Sequence, residues 1–344
     1  MRLVRIAKPY QPLAWFWAVV LGGGMIGAGV LQSMGPMVRV AKFTPVTVGA
    51  PKAISLAIAA ADPDLQVQEA SLPGHTLPRI APNGRRAETA YAANADTTDI
   101  RPRLALVVGG IGLAQGPSQA ALHDLPPAVT IAFSAYAPDS IAQPLAAQAR
   151  AAGRECLLSV PLEPRDFPRD DAGPHTMLTA SDPADRRKNL RWALSRRSGC
   201  MGATALSDGF SGAGYLQNGG LYGAMLQDIG AMGLAWFDPR PGAALPASAS
   251  ASASVSVPLS GSRLVADVVI DAPDAQGDPP TEAAIDARLA ALLDRARQTG
   301  HAIGVIGRPL PVVMERMAAF TATLAAKGVA LMPLSAMPSV PLKS

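Results

Sequence analysis

The sequence predicts a parallel α/β domain carried behind a single membrane-spanning helix. Three observations lead there. From Arg103 onward, short apolar runs alternate with longer helical segments, as in a sheet whose crossovers are helices. The first run, Leu104-Ala-Leu-Val-Val-Gly-Gly-Ile-Gly112, is apolar on both faces and ends in small residues, as a buried parallel strand opening onto a site does. Between Pro9 and Val38 the chain carries no charged residue, a stretch long enough to cross a bilayer.

The N-terminal elements follow from charge. Residues 1–11 form a basic tail with Arg2, Arg5 and Lys8, and residues 12–35 the span, with Trp15 and Trp17 as an interfacial anchor. Arg39, Lys42 and Lys52 follow, so charge asymmetry alone is nearly balanced. A short basic tail before a large domain is the arrangement of a signal anchor, which puts the N-terminus inside. The expectation is a single-pass protein of a bacterial inner membrane with its main domain in the periplasm. The alternative, a cleaved signal peptide, lacks a clean small-x-small site after the run. Residues 36–100 turn to Ala, Pro, Asp and Thr with few aromatics, which reads as a flexible linker.

Residues 101–338 carry the domain, followed by a tail, 339–344. Strands are expected at 104–108, 129–133, 156–160, 201–206, 234–237, 265–270, 302–306 and 329–332. Helices are expected at 118–122, 140–152, 183–197, 220–232, 281–298 and 312–327. A long excursion separates the third strand from Thr179. An Ala-Ser repeat within 244–262 cannot build a packed core and reads as a low-complexity surface loop.

Composition excludes some function classes. With 49% hydrophobic and 16% charged residues the chain is too apolar for disorder throughout. The net charge of +4 is scattered, and no basic stripe interleaved with aromatics occurs, which argues against nucleic acid as a partner. The only cysteines, Cys156 and Cys200, open consecutive strands. If those strands are neighbours, the thiols share one edge of the sheet and can bond in an oxidising compartment; otherwise they are buried thiols.

Several motifs, in order, carry a family resemblance over about 103–338. They are Val129–Phe133 with Tyr136-Ala-Pro138, Pro161-Leu-Glu-Pro164, Gly173-Pro174 with Leu178-Thr179, Trp236-Phe-Asp-Pro-Arg240, Asp267-Val-Val-Ile-Asp271 and Ile306-Gly-Arg-Pro309. Together they resemble the divergent polysaccharide deacetylases, which implies a deformed (β/α) barrel. The implied chemistry is hydrolysis of acetyl groups on a glycan. There a divalent metal such as zinc polarises the carbonyl and generates hydroxide.

This sequence departs from that pattern wherever the metal would be held. The family's aspartate pair is Gly109 and Gly110, the histidine before Pro161 is Ser159, the Asn-His pair is Ala205 and Leu206, and the histidine of Gly-His-Pro is Arg308. Glycine and leucine supply no ligand, and arginine repels a cation. The reading is a fold kept without its chemistry: no catalytic residues, no metal, no cofactor. What survives at the expected strand ends is Glu163, Asp208, Asp238, Arg240, Asp271 and Arg308. These either line a polar groove for a ligand or brace the barrel mouth, Asp238 with Arg240. Of the histidines, His75, His123 and His301 fall away from the expected site, and His175 lies in the excursion that could fold over it.

Two further motifs are weak. Ala205-Leu-Ser-Asp-Gly209 falls one residue short of a nucleophile elbow around Ser207, and Gly109-Gly-Ile-Gly112 has the wrong spacing for a dinucleotide loop. The expected function is therefore binding, of a cell-envelope polysaccharide or an envelope protein, by an inactive member of the family. The competing expectation is an active deacetylase rebuilt around Asp208, Asp238 and His175.

Overall fold

The computed structural model describes Ile58 and residues 61–245, 261–274 and 276–340. The expected basic tail, membrane helix, first part of the linker, most of the Ala-Ser stretch and the last four residues lie outside the described residues. Among the described residues no helix is long and apolar enough to cross a membrane.

The domain is a curled sheet wrapped in helices. In chain order its strands are β3 (Arg103–Ile111), β4 (Thr130–Phe133), β5 (Cys156–Ser159), β6 (Gly202–Thr204), β7 (Ala235–Asp238), β8 (Arg263–Val265), β9 (Val268–Val269), β10 (His301–Ile306) and β11 (Ala330–Leu331). Spatially the order is β8-β7-β6-β5-β4-β3-β10-β9, with β11 beside the start of β3, nine strands in all. Every pairing between them is parallel. Parallel pairing needs long crossovers. These include α2 (Gln115–Asp124), α3 (Asp139–Ala151), α4 (Pro183–Leu194), the short α5 (Ala213–Leu216), α6 (Gly219–Ala231), α7 (Glu282–Thr299) and α8 (Pro311–Thr323). With helices outside and Leu104, Val107, Ile131, Leu157, Ala203 and Phe237 fully buried, the strands read as unbroken apolar runs rather than alternating ones.

The sheet's two edges belong to one short segment. β8 adds to β7 and β9 adds to β10, yet only Ala266 and Asp267 separate them. The Ala266 N–H donates to the Asp238 carbonyl at 3.0 Å, and the Asp267 N–H to the Ile303 carbonyl at 2.8 Å. The Asp267 carboxylate also accepts from the Ile303 N–H at 2.8 Å. The single strand expected at 265–270 is thus two short strands, because the chain changes partner at Asp267. This seam makes the sheet a deformed α/β barrel.

The first strand also differs from expectation. β3 continues past Val108 through both glycines to Ile111, with a register shift against β4 between Val108 and Ile111. Gly110 has φ +68°, a conformation that a side chain would resist, so the bulge needs a glycine there. α2 begins earlier than expected, because Pro117 sits in its first turn, where the missing N–H costs nothing; His123 falls within it. α4 ends before the expected position at Leu194.

The largest correction concerns the linker. Over 61–100 the chain folds onto the domain. A 3₁₀ turn at Pro63–Leu65 leads into an antiparallel hairpin, β1 (Gln66–Gln68) and β2 (Thr76–Pro78), with His75 in its turn, then the short helix α1 (Ala87–Ala90). Leu65, Leu77, Ala81, Ala87 and Tyr91 join the main core. Their apolar residues come singly between turns and build no periodic signal, which is why composition alone reads as linker. Buried Glu155, just before β5, fixes this arm and the C-terminal tail together. Its carboxylate accepts from the Ala93 N–H at 2.8 Å, the Ser335 N–H at 3.1 Å and the Ser335 hydroxyl. Of the expected tail 339–344, Val340 pairs antiparallel with Arg263.

Cys156 and Cys200 form a disulfide with Cα atoms 4.7 Å apart, joining the first residue of β5 to the chain entering β6. It lies at the end of the strands away from Ser159 and Leu206.

Candidate functional site

The C-terminal strand ends bring together the degenerate positions. Gly109 leaves no room for a carboxylate: a Cβ on it would lie 2.7 Å from Leu206 Cδ2 and 2.9 Å from the Gly307 carbonyl oxygen. Leu206, itself buried, occupies the space that a side chain at 109 would need. A Cβ on Gly110 would stand 3.3 Å from Pro309 Cδ. Ser159 is buried and its hydroxyl has no hydrogen-bond partner among the described residues. Arg308 is exposed at the mouth. A leucine plug, a lone hydroxyl and a guanidinium are not a metal's donor set. Among the described residues no group of three or more His, Cys, Asp or Glu could hold a metal ion. The residues present do not fit the metal that the resemblance implies.

Beside this plug is a cleft of about 420 Å³, walled by Leu206, Phe210, Val269, Val305 and Leu310 and by prolines 239, 273, 279 and 280. Its charged residues are Asp170, Asp208, Asp271 and Arg308. Three of the six expected groove residues, Asp208, Asp271 and Arg308, therefore come together. Asp208 and Gly209 form the two-residue turn of a small hairpin, both at positive φ (52° and 89°). The Ser207 and Phe210 backbones exchange hydrogen bonds of 2.9 and 2.8 Å across it. Asp-Gly suits such a turn because both residues tolerate the left-handed region. The turn packs tightly on the next strand end: a Cβ on Gly307 would lie 2.8 Å from Gly209 Cα. Gly209 itself sits against the Arg308 guanidinium.

Within the cleft the two aspartates have different tasks. Asp271 accepts from the Gly307 N–H at 2.8 Å and the Arg308 N–H at 3.0 Å, fixing the backbone of the β10 exit. Its burial pushes the carboxyl above the usual range, against the pull of those N–H groups and of Arg308. Asp208 makes no side-chain hydrogen bond among the described residues; partial desolvation raises its pKa and nearby Arg308 opposes the rise. The Arg308 guanidinium likewise has no hydrogen-bonding partner among the described residues. A free carboxylate and a free guanidinium thus flank an apolar-walled cleft.

The other three candidates lie elsewhere. Asp238 is fully buried and accepts from Arg240 (Nε at 3.0 Å, Nη2 at 2.8 Å), Arg263 Nη2 at 3.0 Å and the Tyr222 hydroxyl at 2.9 Å. Burial pushes this carboxyl up, but the two guanidiniums outweigh it and its pKa ends below the ordinary value. The Tyr222 hydroxyl also accepts from Trp236 Nε1 and Arg263 Nε, each at 3.0 Å. Asp238 and Arg240 therefore brace the barrel rather than line a groove. Glu163 accepts from the Thr179 N–H at 2.6 Å and the Thr179 hydroxyl at 2.9 Å, tying off the base of the excursion.

The His175 ring stacks on Trp192, ring centroids 3.7 Å apart, and the His175 backbone N–H donates to the Tyr136 hydroxyl at 3.0 Å. It does not line the cleft. Ser207 is buried in the hairpin, with no histidine beside the cleft. Sequence reasoning missed Tyr222 and Arg263, although an arginine opening an apolar strand signals a buried partner. It also missed Phe210 and Asp170, whose positions depend on loops.

Comparison with known proteins agrees with this geometry. The model of the divergent polysaccharide deacetylase family matches residues 106–337. The crystal structure of an uncharacterized protein, ATU2773 of Agrobacterium tumefaciens C58, is similar with a TM-score of 0.65 and 29% sequence identity. That likeness covers 76% of this chain and 99% of that one. No curated protein matches the chain. With more than half its length matched, and with the curled parallel sheet that the resemblance implies, the chain belongs to the divergent polysaccharide deacetylase family.

Proposed function

We propose that this protein is an inactive family member whose strand-end cleft binds a cell-envelope glycan. The observation that carries the reading is the fit of Leu206 against Gly109, which fills the place of a metal-binding carboxylate with hydrocarbon. What remains open is the neighbouring cleft. There Arg308 offers paired N–H donors and Asp208 an acceptor for sugar hydroxyls, while Phe210 and the prolines give the apolar wall that sugar C–H faces need. Anchoring by residues 12–35 and a periplasmic location belong to the same proposal, supported by the uncharged N-terminal run and by a disulfide suited to an oxidising compartment. The active-enzyme alternative is not favoured, since Asp238 is held by two arginines and His175 by Trp192, both away from Asp208.

The test is calorimetric titration of the protein with zinc and with oligosaccharides from peptidoglycan. No stoichiometric zinc binding is expected, and saturable glycan binding should weaken about tenfold in Asp208→Ala or Arg308→Ala, the loss of one charged hydrogen bond of ~1.4 kcal/mol. One tightly bound ion per chain, or acetyl release from an acetylated glycan, would overturn the proposal.

A further inference from the structure

Cys156 and Cys200 are each 3% exposed. Leu65, Ala87 and Tyr91 of the N-terminal arm line one small void with Gly199 and Cys200, of only about 10 Å³. A Cβ on Gly199 would lie 3.6 Å from the Ala61 Cβ, so the start of the arm touches the same loop. The arm therefore sits on the residues that carry one half of the bridge.

Two thiols need more room than one bridge, because unbonded sulfurs meet at van der Waals contact. A void of that size cannot supply the room, so breaking the bond displaces either the loop 198–200 or the arm packed on it. The loop is the stiffer of the two. Before it, buried Arg197 donates to the Ala137 carbonyl at 2.9 Å and to Asp139 at 2.5 Å. After it, the Met201 N–H donates to the Cys156 carbonyl at 2.9 Å, and β6 follows in the sheet. The arm is held unevenly. Its second half is fixed by groups outside that loop: the Glu88 N–H donates to the Gly233 carbonyl at 3.0 Å, the Glu88 carboxylate accepts from the Ser262 N–H at 3.0 Å, and Glu155 accepts from Ala93. Its first half is a two-stranded hairpin whose side-chain ties to the barrel come down to the Glu69–Arg191 ion pair, from a half-exposed Arg191. At its start the Ile58 N–H donates to the Arg150 carbonyl at 2.9 Å. A lone hairpin is marginal in water, so residues 61–78 are the part that gives.

We propose that residues 61–78 are a redox-gated strap, docked while Cys156 and Cys200 are bonded and released when a dithiol reduces them. The bond takes two electrons and two protons from the dithiol, which closes its own disulfide and leaves the Cys156 and Cys200 thiols. Release bares Leu65 and Leu77, both buried when docked. It also adds up to about 60 Å of reach to the chain that enters the domain. The coupling is reciprocal, so a strap that leaves more readily makes the bond easier to reduce. None of this rests on the glycan reading.

The test is hydrogen exchange read by mass spectrometry on the full chain, oxidised and after dithiothreitol, which meets no other disulfide in a chain with two cysteines. Exchange across 65–78 should be at least tenfold faster in the reduced protein, with Glu88 and residues 303–305 of β10 as protected as before. Leu65→Ala, which loosens the strap without touching the bridge, should speed reduction by dithiothreitol at least fivefold, read as alkylated thiol. Unchanged strap exchange in fully reduced protein, equal acceleration of strap and β10, a reduction rate unmoved by Leu65→Ala, or a bond that yields only when the whole domain unfolds would each overturn the proposal.

Discussion

At Gly109 a single added carbon tests how tightly the strand exits are packed. Placing a methyl there drives it into Leu206 and the Gly307 carbonyl. Gly109→Ala is therefore expected to destabilise the fold by about 1–3 kcal/mol in urea unfolding, the usual cost of overpacking. Leu206→Ala in the same chain should relieve part of that cost, so the pair should be non-additive. The substitutions themselves are legible in the sequence, since each position can be identified from its motif. Their mutual fit is not, because which Cβ meets which side chain is a tertiary distance. Asp238 makes the same point with charge. Its pairing with Arg240, two residues away, is visible in the sequence, whereas Arg263 arrives from another strand. Asp238→Asn should cost about 3–5 kcal/mol, because it leaves a buried guanidinium without its counter-charge. The pH dependence follows from the lowered pKa of Asp238. Ionised Asp238 contributes stability that is fully present above the unfolded-state value of about 3.9 and is lost as pH falls through the lower folded value. Between pH 5 and 2 the native protein should lose stability more steeply than Asp238→Asn, measured by urea midpoints at each pH.

At the scale of elements, the alternation of apolar runs and helices is enough to locate most strands of the sheet, because a strand buried on both faces needs little else to identify it. It fails where an element is defined by partners rather than by pattern. Residues 265–270 read as one strand, and only the switch from β7 to β10 divides them. The arm at 61–100 likewise has few apolar residues, and Leu65, Leu77 and Tyr91 gain meaning only from the core that they enter. The disulfide is an element-scale feature too. It closes a loop with a sequence separation of 44 residues, which contains the excursion and α4. Replacing both cysteines by serine should lower stability by about 2–4 kcal/mol, through the greater freedom of the unfolded chain. Thermal unfolding of the double variant against the oxidised protein reads this directly. The glycan binding proposed for the strand-end cleft should be unchanged, since the bridge is at the far end of its strands.

For the molecule as a whole, the barrel presents two clefts of similar size at opposite ends, one behind the strand exits and one beneath the strand starts. Of the first, only Asp208, Asp271 and Arg308 were legible in the sequence, because strand-end residues in parallel sheets face one end together; its apolar wall comes from loops that no pattern marks. The second is built from both ends of the domain, residues 88–97 and 335–339, and no local pattern connects them. The seam at Asp267 has a different kind of consequence. Because one stretch of chain seals both margins of the sheet, its release alone would bare the unpaired backbones of β7 and β10 at once. Bare margins of that kind recruit other chains. Self-association under mild denaturant should then track local opening of 263–270, seen as early hydrogen exchange at Asp267 and Ile270, rather than global unfolding. Asp267→Ala, which removes the carboxylate clasp on Ile303, should hasten clumping well before it moves the unfolding midpoint.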